Sequence, residues 1–128
     1  METKTRSTKQ KRLIWSIVER AGRPLSPSEV HGAALEELPR VSLATIYRIL
    51  KSLQDEKQVV SVSLPGAQDR YETKARADHH HHHFHCDRCG KVFDVPGCGL
   101  HVGADVPAGF SIKRHEVVLY GQCKACSF

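Results

Sequence analysis

Two Cys-x-x-Cys pairs, Cys86-Asp-Arg-Cys89 and Cys123-Lys-Ala-Cys126, constrain this chain more than any other feature. Together they offer four thiolates, the complement of a tetrahedral structural zinc with Zn–S bonds of about 2.3 Å, and a fold that holds such an ion must bring the pairs together. Gly90, directly after the first pair, permits the tight turn in which backbone amides approach the sulfurs. Two disulfides, or unrelated buried thiols, are the other readings, and a reducing compartment disfavours the disulfides. The expected compartment is the cytosol. No apolar stretch approaches the roughly 20 residues that span a bilayer, and the start METKTRSTKQKRLIW lacks the apolar segment and cleavage site of a secretory signal. The fifth cysteine, Cys98, is assigned no site.

Histidine reinforces the metal reading. Eight of the nine His lie from His79 onward, five of them in the run His79 to His83, which leads through Phe84 and His85 into Cys86. If that run is a strand, successive side chains alternate between faces, so His81 and His83 point one way and His80 and His82 the other. One strand can then serve two metal sites. Imidazole suits zinc, iron, nickel or copper, and added carboxylates extend the range to manganese.

The first half carries the charge. Residues 1–76 hold 14 Lys/Arg against 9 Asp/Glu, whereas residues 77–128 are neutral, so the net +5 of the 128-residue chain is all N-terminal. A positive surface on a small module suits nucleic-acid binding, because neutralised phosphates release counterions; an ordinary solvated surface is the plain alternative. Leu13, Ile14, Ile17, Val18 and Ala21 recur at helical spacing before Gly22-Arg23-Pro24, predicting a first helix of about four turns. Ser26-Pro27-Ser28-Glu29 reads as a capping box opening a second helix with Val30, Ala33, Ala34 and Leu38, closed by Pro39. Ser42 caps a third, whose Leu43, Ile46, Leu50 and Leu53 form an apolar stripe opposite Thr45, Arg48, Lys51 and Ser52. Strands are expected over 58–64 and 69–73 around a Pro65-Gly66 turn. Three helices and a hairpin suggest a winged helix, or another small α+β domain with a helix pair. Further strands are expected over 79–86, 91–95 and 110–120, with a short helix between Cys98 and Val102.

Four segments in this order resemble the ferric-uptake-regulator family, and the resemblance covers nearly the whole chain. They are Val41-Ser-Leu-Ala-Thr-Ile-Tyr-Arg-Ile-Leu50, similar to the family's recognition helix; Tyr71-Glu72 in the wing; His80 to His83 with Cys86-x-x-Cys89-Gly90; and His115 with Leu119-Tyr-Gly-x-Cys-x-x-Cys126. The resemblance implies a homodimeric metal-dependent repressor of α+β class. Residues 1–74 would form a winged helix-turn-helix DNA-binding domain, 75–78 a linker, and 79–128 a small α/β dimerisation domain with structural zinc. It implies Tyr47, Arg48 and Arg12 as DNA contacts, joined by Thr45 and Lys51 on the polar helix face. Cys86, Cys89, Cys123 and Cys126 match the structural zinc ligands. Glu72, His81 and His83 match a regulatory site, and His80, His82, His101 and His115 a second one. His82 and His101 stand where Asp and Glu are common in the family. Its sensing His between the first two helices falls near Pro24, which cannot ligate. Whether His31, Asp69 or His79 joins the regulatory site is left open.

The regulatory metal expected is Zn2+, Fe2+ or Mn2+. Bridging Glu72 to His81 and His83, it would set the angle between the domains, and hence the spacing of two recognition helices against operator half-sites about 34 Å apart. A coupling of about 1 to 3 kcal/mol suffices for regulation. The partners expected are double-stranded operator DNA and a second copy of the chain, with no membrane. A metal buffer or metallochaperone is the alternative, and it leaves Arg48 and Lys51 unexplained. A zinc hydrolase would need a HExxH motif or an open site with a general base, and the sequence has neither, so no enzyme is expected.

Overall fold

The computed structural model describes residues 2–79, 81–96 and 106–127, with side chains from residue 7 onward. The chain divides into two compact units, Met1–His79 and His80–Phe128.

The first unit is a winged helix. Helix α1 spans Glu2–Ala21, longer than the four turns expected, because nothing in its polar first half breaks a helix before Gly22, which takes the left-handed φ of 68° that ends it. Helix α2 spans Pro27–Ala34 and opens on the expected capping box: the Glu29 amide donates to Ser26 Oγ at 3.2 Å and the Ser26 amide to Glu29 Oε1 at 3.0 Å. It stops at Ala34, short of Pro39, and Ala33 is exposed rather than part of the apolar face. Helix α3, Leu43–Asp55, is capped by Ser42, whose Oγ accepts from the Thr45 amide at 3.1 Å. Its buried stripe is Ile46, Ile49, Leu50 and Leu53, so Ile49 replaces Leu43, which is 37% exposed. Those side chains close a core with Ile14, Ile17, Val18, Leu25, Val30, Ala34 and Val59.

Strands β1 (Val59–Val62) and β2 (Arg70–Thr73) form the antiparallel wing, paired from Val59↔Thr73 to Val62↔Arg70. Both are shorter than the sequence suggested. Leu25 adds a bridge to Tyr71, its amide donating to the Tyr71 carbonyl at 2.9 Å and its carbonyl accepting at 2.8 Å, which ties the wing to the turn after α1. Residues 75–78, expected to be an irregular linker, lie mostly within a single helical turn, α4 (Lys74–Ala77), with Thr73 as N-cap.

Among the described residues, the second unit holds a three-stranded sheet in the order β4-β3-β5. Strand β3 (His81–Cys86) lies between β4 (Val92–Pro96), which runs antiparallel to it, and β5 (Val118–Gly121), which runs parallel. The long strand expected over 110–120 is reduced to β5: residues 111–117 take no regular conformation, and Phe110 and Ile112 are exposed. The expected helix between Cys98 and Val102 lies outside the described residues.

Candidate metal centres and nucleic-acid face

Cys86 ends β3 and is fully buried. The chain then turns at once: the Gly90 amide donates to the Cys86 carbonyl at 2.9 Å, and Gly90 takes a φ of 76°, open to glycine at little cost. Because β5 runs parallel to β3, with Gly121 opposite Cys86, the residues just beyond β5 arrive at the same end of the sheet. The amides of Cys89 and Cys123 both donate to Cys86 Sγ at 3.4 Å. All four sulfurs lie within 4.8 Å of one another, and Cys89 and Cys123 are 3.8 Å apart. A disulfide needs about 2.05 Å, whereas sulfurs about 2.3 Å from a shared tetrahedral ion lie about 3.8 Å apart. The four thiols are free. Amide hydrogen bonds from Cys89 and Cys123 pull the Cys86 thiol down to about 6. Burial and then the neighbouring thiols push Cys126 up to about 12. Four sulfurs so close cannot all ionise unaided, and a divalent ion of the zinc type supplies the compensating charge.

A second group forms on one face of β3. His81 and His83 project together, their ring centroids 5.0 Å apart and nearly perpendicular. The antiparallel register sets Asp94 opposite His83, on the same face. Asp94 Oδ1 lies 3.4 Å from His81 Nε2 and 3.6 Å from His83 Nε2, with all three side chains largely buried. These separations are long for hydrogen bonds and suit donors that converge on an ion. Burial pulls the His83 pKa below its ordinary value and the positive potential of His81 and His82 adds to this, against the opposing pull of Asp94 and Glu116. The shift favours the neutral imidazole, the form that ligates. Asp94 was missed from the sequence. Its only signal was its place in the strand expected over 91–95, and the pairing register was needed to use it. Glu72 belongs to the first unit, on β2, where it is 4% exposed.

The opposite face of β3 carries His82, which is buried, with its ring 5.1 Å from that of His115. The structure thus brings together two of the four residues assigned to the further site, while His80 and His101 lie outside the described residues, as does Cys98. Of the positions left open, His31 is hydrogen-bonded through Nε2 to the Val41 carbonyl at 2.8 Å, between α2 and α3. Asp69 accepts from Ser63 Oγ within the wing at 2.8 Å, and His79 is an exposed residue at the end of the first unit.

On α3 the exposed side carries Tyr47 (43% exposed), Arg48 and Lys51. Thr45 is half-buried, its hydroxyl accepting from Ser42 Oγ at 3.0 Å and from Arg48 Nη2 at 3.3 Å. Arg12 is exposed on α1. This is a basic, hydrogen-bonding helix surface with one aromatic ring, the chemistry that suits base edges and phosphates.

A model described as the ferric uptake regulator family matches residues 2–120. The peroxide operon regulator of Bacillus subtilis is 26% identical to the chain over 129 residues, covering 98% of this chain and 87% of that protein. The ferric uptake regulation protein of Haemophilus influenzae is 30% identical over 101 residues, 77% of this chain and 68% of that one. The solved structure of the Helicobacter pylori ferric uptake regulator, reported to reveal three functional metal-binding sites, matches at a TM-score of 0.65 and 24% identity over 92% of this chain and 79% of that one; this last likeness is one of fold.

Proposed function

We propose that this chain, which belongs to the ferric uptake regulator family, is a metal-responsive, sequence-specific DNA-binding repressor that acts as a homodimer in the cytoplasm and catalyses no reaction. The observation that carries the reading is the presence, in one small unit, of two ligand groups of different character. Four sulfurs make a closed site suited to permanent zinc. The His81, His83 and Asp94 group, two imidazoles and a carboxylate without a thiolate, suits an exchangeable divalent ion, Fe2+, Mn2+ or Zn2+. In this reading Glu72 adds a carboxylate from the wing, so that the metal sets the angle between the two units. His82 and His115, with His80 and His101, form the further site.

Tyr47, Arg48, Thr45 and Lys51 then read DNA from α3 while Arg12 holds the backbone. The exposed Leu119 and Tyr120 on β5 supply apolar surface for a second copy. No helix among the described residues is long and apolar enough to cross a membrane. A metal buffer remains the rival reading, and the exposed basic face of α3 speaks against it. The test is to select an operator from random duplexes with zinc-loaded protein, then titrate Fe2+, Mn2+ and Zn2+ while following binding. One of these ions is expected to raise affinity at least about fivefold. Binding that no metal alters, or no binding at all, would overturn the proposal.

A further inference from the structure

The loop that joins β1 to β2 is braced by hydrogen bonds at its tip, across its base and to α3. Leu64-Pro65-Gly66-Ala67 forms a turn closed by the Ala67 amide donating to the Leu64 carbonyl at 3.1 Å, with Gly66 at a φ of 69° and Leu64 buried. Proline second and a left-handed glycine third are what a type II turn requires. Ser63 Oγ donates to Asp69 Oδ1 at 2.8 Å, bracing the loop across its base. Arg70, 8% exposed, donates from Nη1 to the Gln68 carbonyl at 2.8 Å. The Gln68 backbone is thus fixed from below, and its side-chain amide donates to the Tyr47 hydroxyl at 2.9 Å, 21 residues away in sequence and on the exposed side of α3.

We infer that Gln68 is a positioning residue for DNA reading: it latches the wing to α3 and presets the Tyr47 ring for contact with bases. The inference rests on the DNA-binding reading above. An exposed tyrosine without a partner samples several rotamers and loses that freedom when it meets DNA; one already held loses less. The latch also directs a proton. Since Gln68 donates to the Tyr47 oxygen, the phenol's own O–H stays available to donate to a phosphate oxygen or a base acceptor. Both side chains are exposed, so the hydrogen bond adds little to the stability of the fold, and its value lies in geometry.

The test is a double-mutant cycle on the full-length, zinc-loaded protein, with affinity measured for its selected operator and for random duplex. Gln68→Ala is expected to weaken operator binding about three- to tenfold, the range of one neutral hydrogen bond, with melting temperature and metal content unchanged and random-duplex binding little affected. Tyr47→Phe is expected to lose at least as much, and Gln68→Ala in that background should then have no further effect, because the acceptor is already gone. Effects of Gln68→Ala that are equal in both backgrounds would mean Gln68 acts independently of Tyr47 and would overturn the inference. So would unchanged operator affinity in Gln68→Ala while Arg48→Ala binds more weakly than the parent. If the unaltered protein shows no salt-dependent binding to any duplex, the DNA-binding reading itself falls, and the latch with it.

Discussion

Cys86 is the residue on which the second unit most depends. It is fully buried, and its sulfur accepts two amide hydrogen bonds that pull the thiol pKa down to about 6. Few side chains of this unit are fully buried among the described residues, and there ion-binding energy is folding energy. Cys86→Ser is therefore expected to abolish zinc retention and unfold the second unit, read by metal analysis and circular dichroism; a variant that kept its zinc would sink the four-thiolate site. Asp94 has a different weight. Asp94→Asn keeps its volume but removes the charge that lies between His81 and His83, so affinity for the regulatory metal should fall at least about tenfold while zinc at the cysteines stays. Competition with a chromophoric chelator measures the first quantity and zinc analysis the second. Leu43 shows how a residue can satisfy a helical pattern and still face outward: it is the first residue of α3 and is 37% exposed, while the buried stripe runs through Ile46, Ile49, Leu50 and Leu53 further along the helix.

At the scale of elements, β3 makes the most economical use of its sequence. Alternation sends His81 and His83 to the face that holds Asp94, and His82 to the face that holds His115. Replacing His81 and His83 together by Ala should leave zinc content and melting temperature near those of the parent yet remove the metal response of operator binding. Replacing His82 and His115 should instead lower the melting temperature and weaken DNA binding mildly. The reverse pattern would show that the sensing face is the other one. Helix α2 offers a test by pH. Burial raises the Glu29 carboxyl, but hydrogen bonds from Arg23 and the Ser26 amide, with the Arg23 charge, outweigh it and hold the pKa below its ordinary value. A carboxylate depressed in the fold contributes stability at neutral pH and loses it as the pH falls through the folded-state value. Glu29→Gln should thus be less stable than the parent at pH 7 by roughly 0.5 to 1 kcal/mol. The gap should begin to shrink below pH 4.5 and close once Glu29 itself is protonated, as denaturation followed across pH would record.

For the whole molecule, the division of labour follows the charge: a first half carrying all of the net +5 and a neutral, metal-binding second half. Arg48→Ala should weaken operator binding by about 1 to 3 kcal/mol without changing metal content, and if Arg48 neutralises a phosphate, the slope of log affinity against log salt should flatten by about 0.9. A variant that binds as the parent does would mean that α3 is not the reading helix. Much of this was legible in the chain alone, because the signals are local. The capping box of α2 and the Ser42 cap of α3, the helical spacing of Ile14, Ile17 and Val18, the Pro65-Gly66 turn, the two Cys-x-x-Cys pairs and the alternation of the His run each depend on residues within a few positions of one another. Those features determined the kinds of element, the four sulfur ligands and the pairing of His81 with His83. What the tertiary structure decided are the pairings between distant segments, which no local pattern encodes. The parallel register of β5 brings Cys123 to Cys86, and the antiparallel register of β4 sets Asp94 against His83. The pinned wing loop delivers Gln68 to Tyr47. A shift of one residue in either register would send the side chain to the opposite face, so the sites rest on long-range contacts that only the folded chain selects.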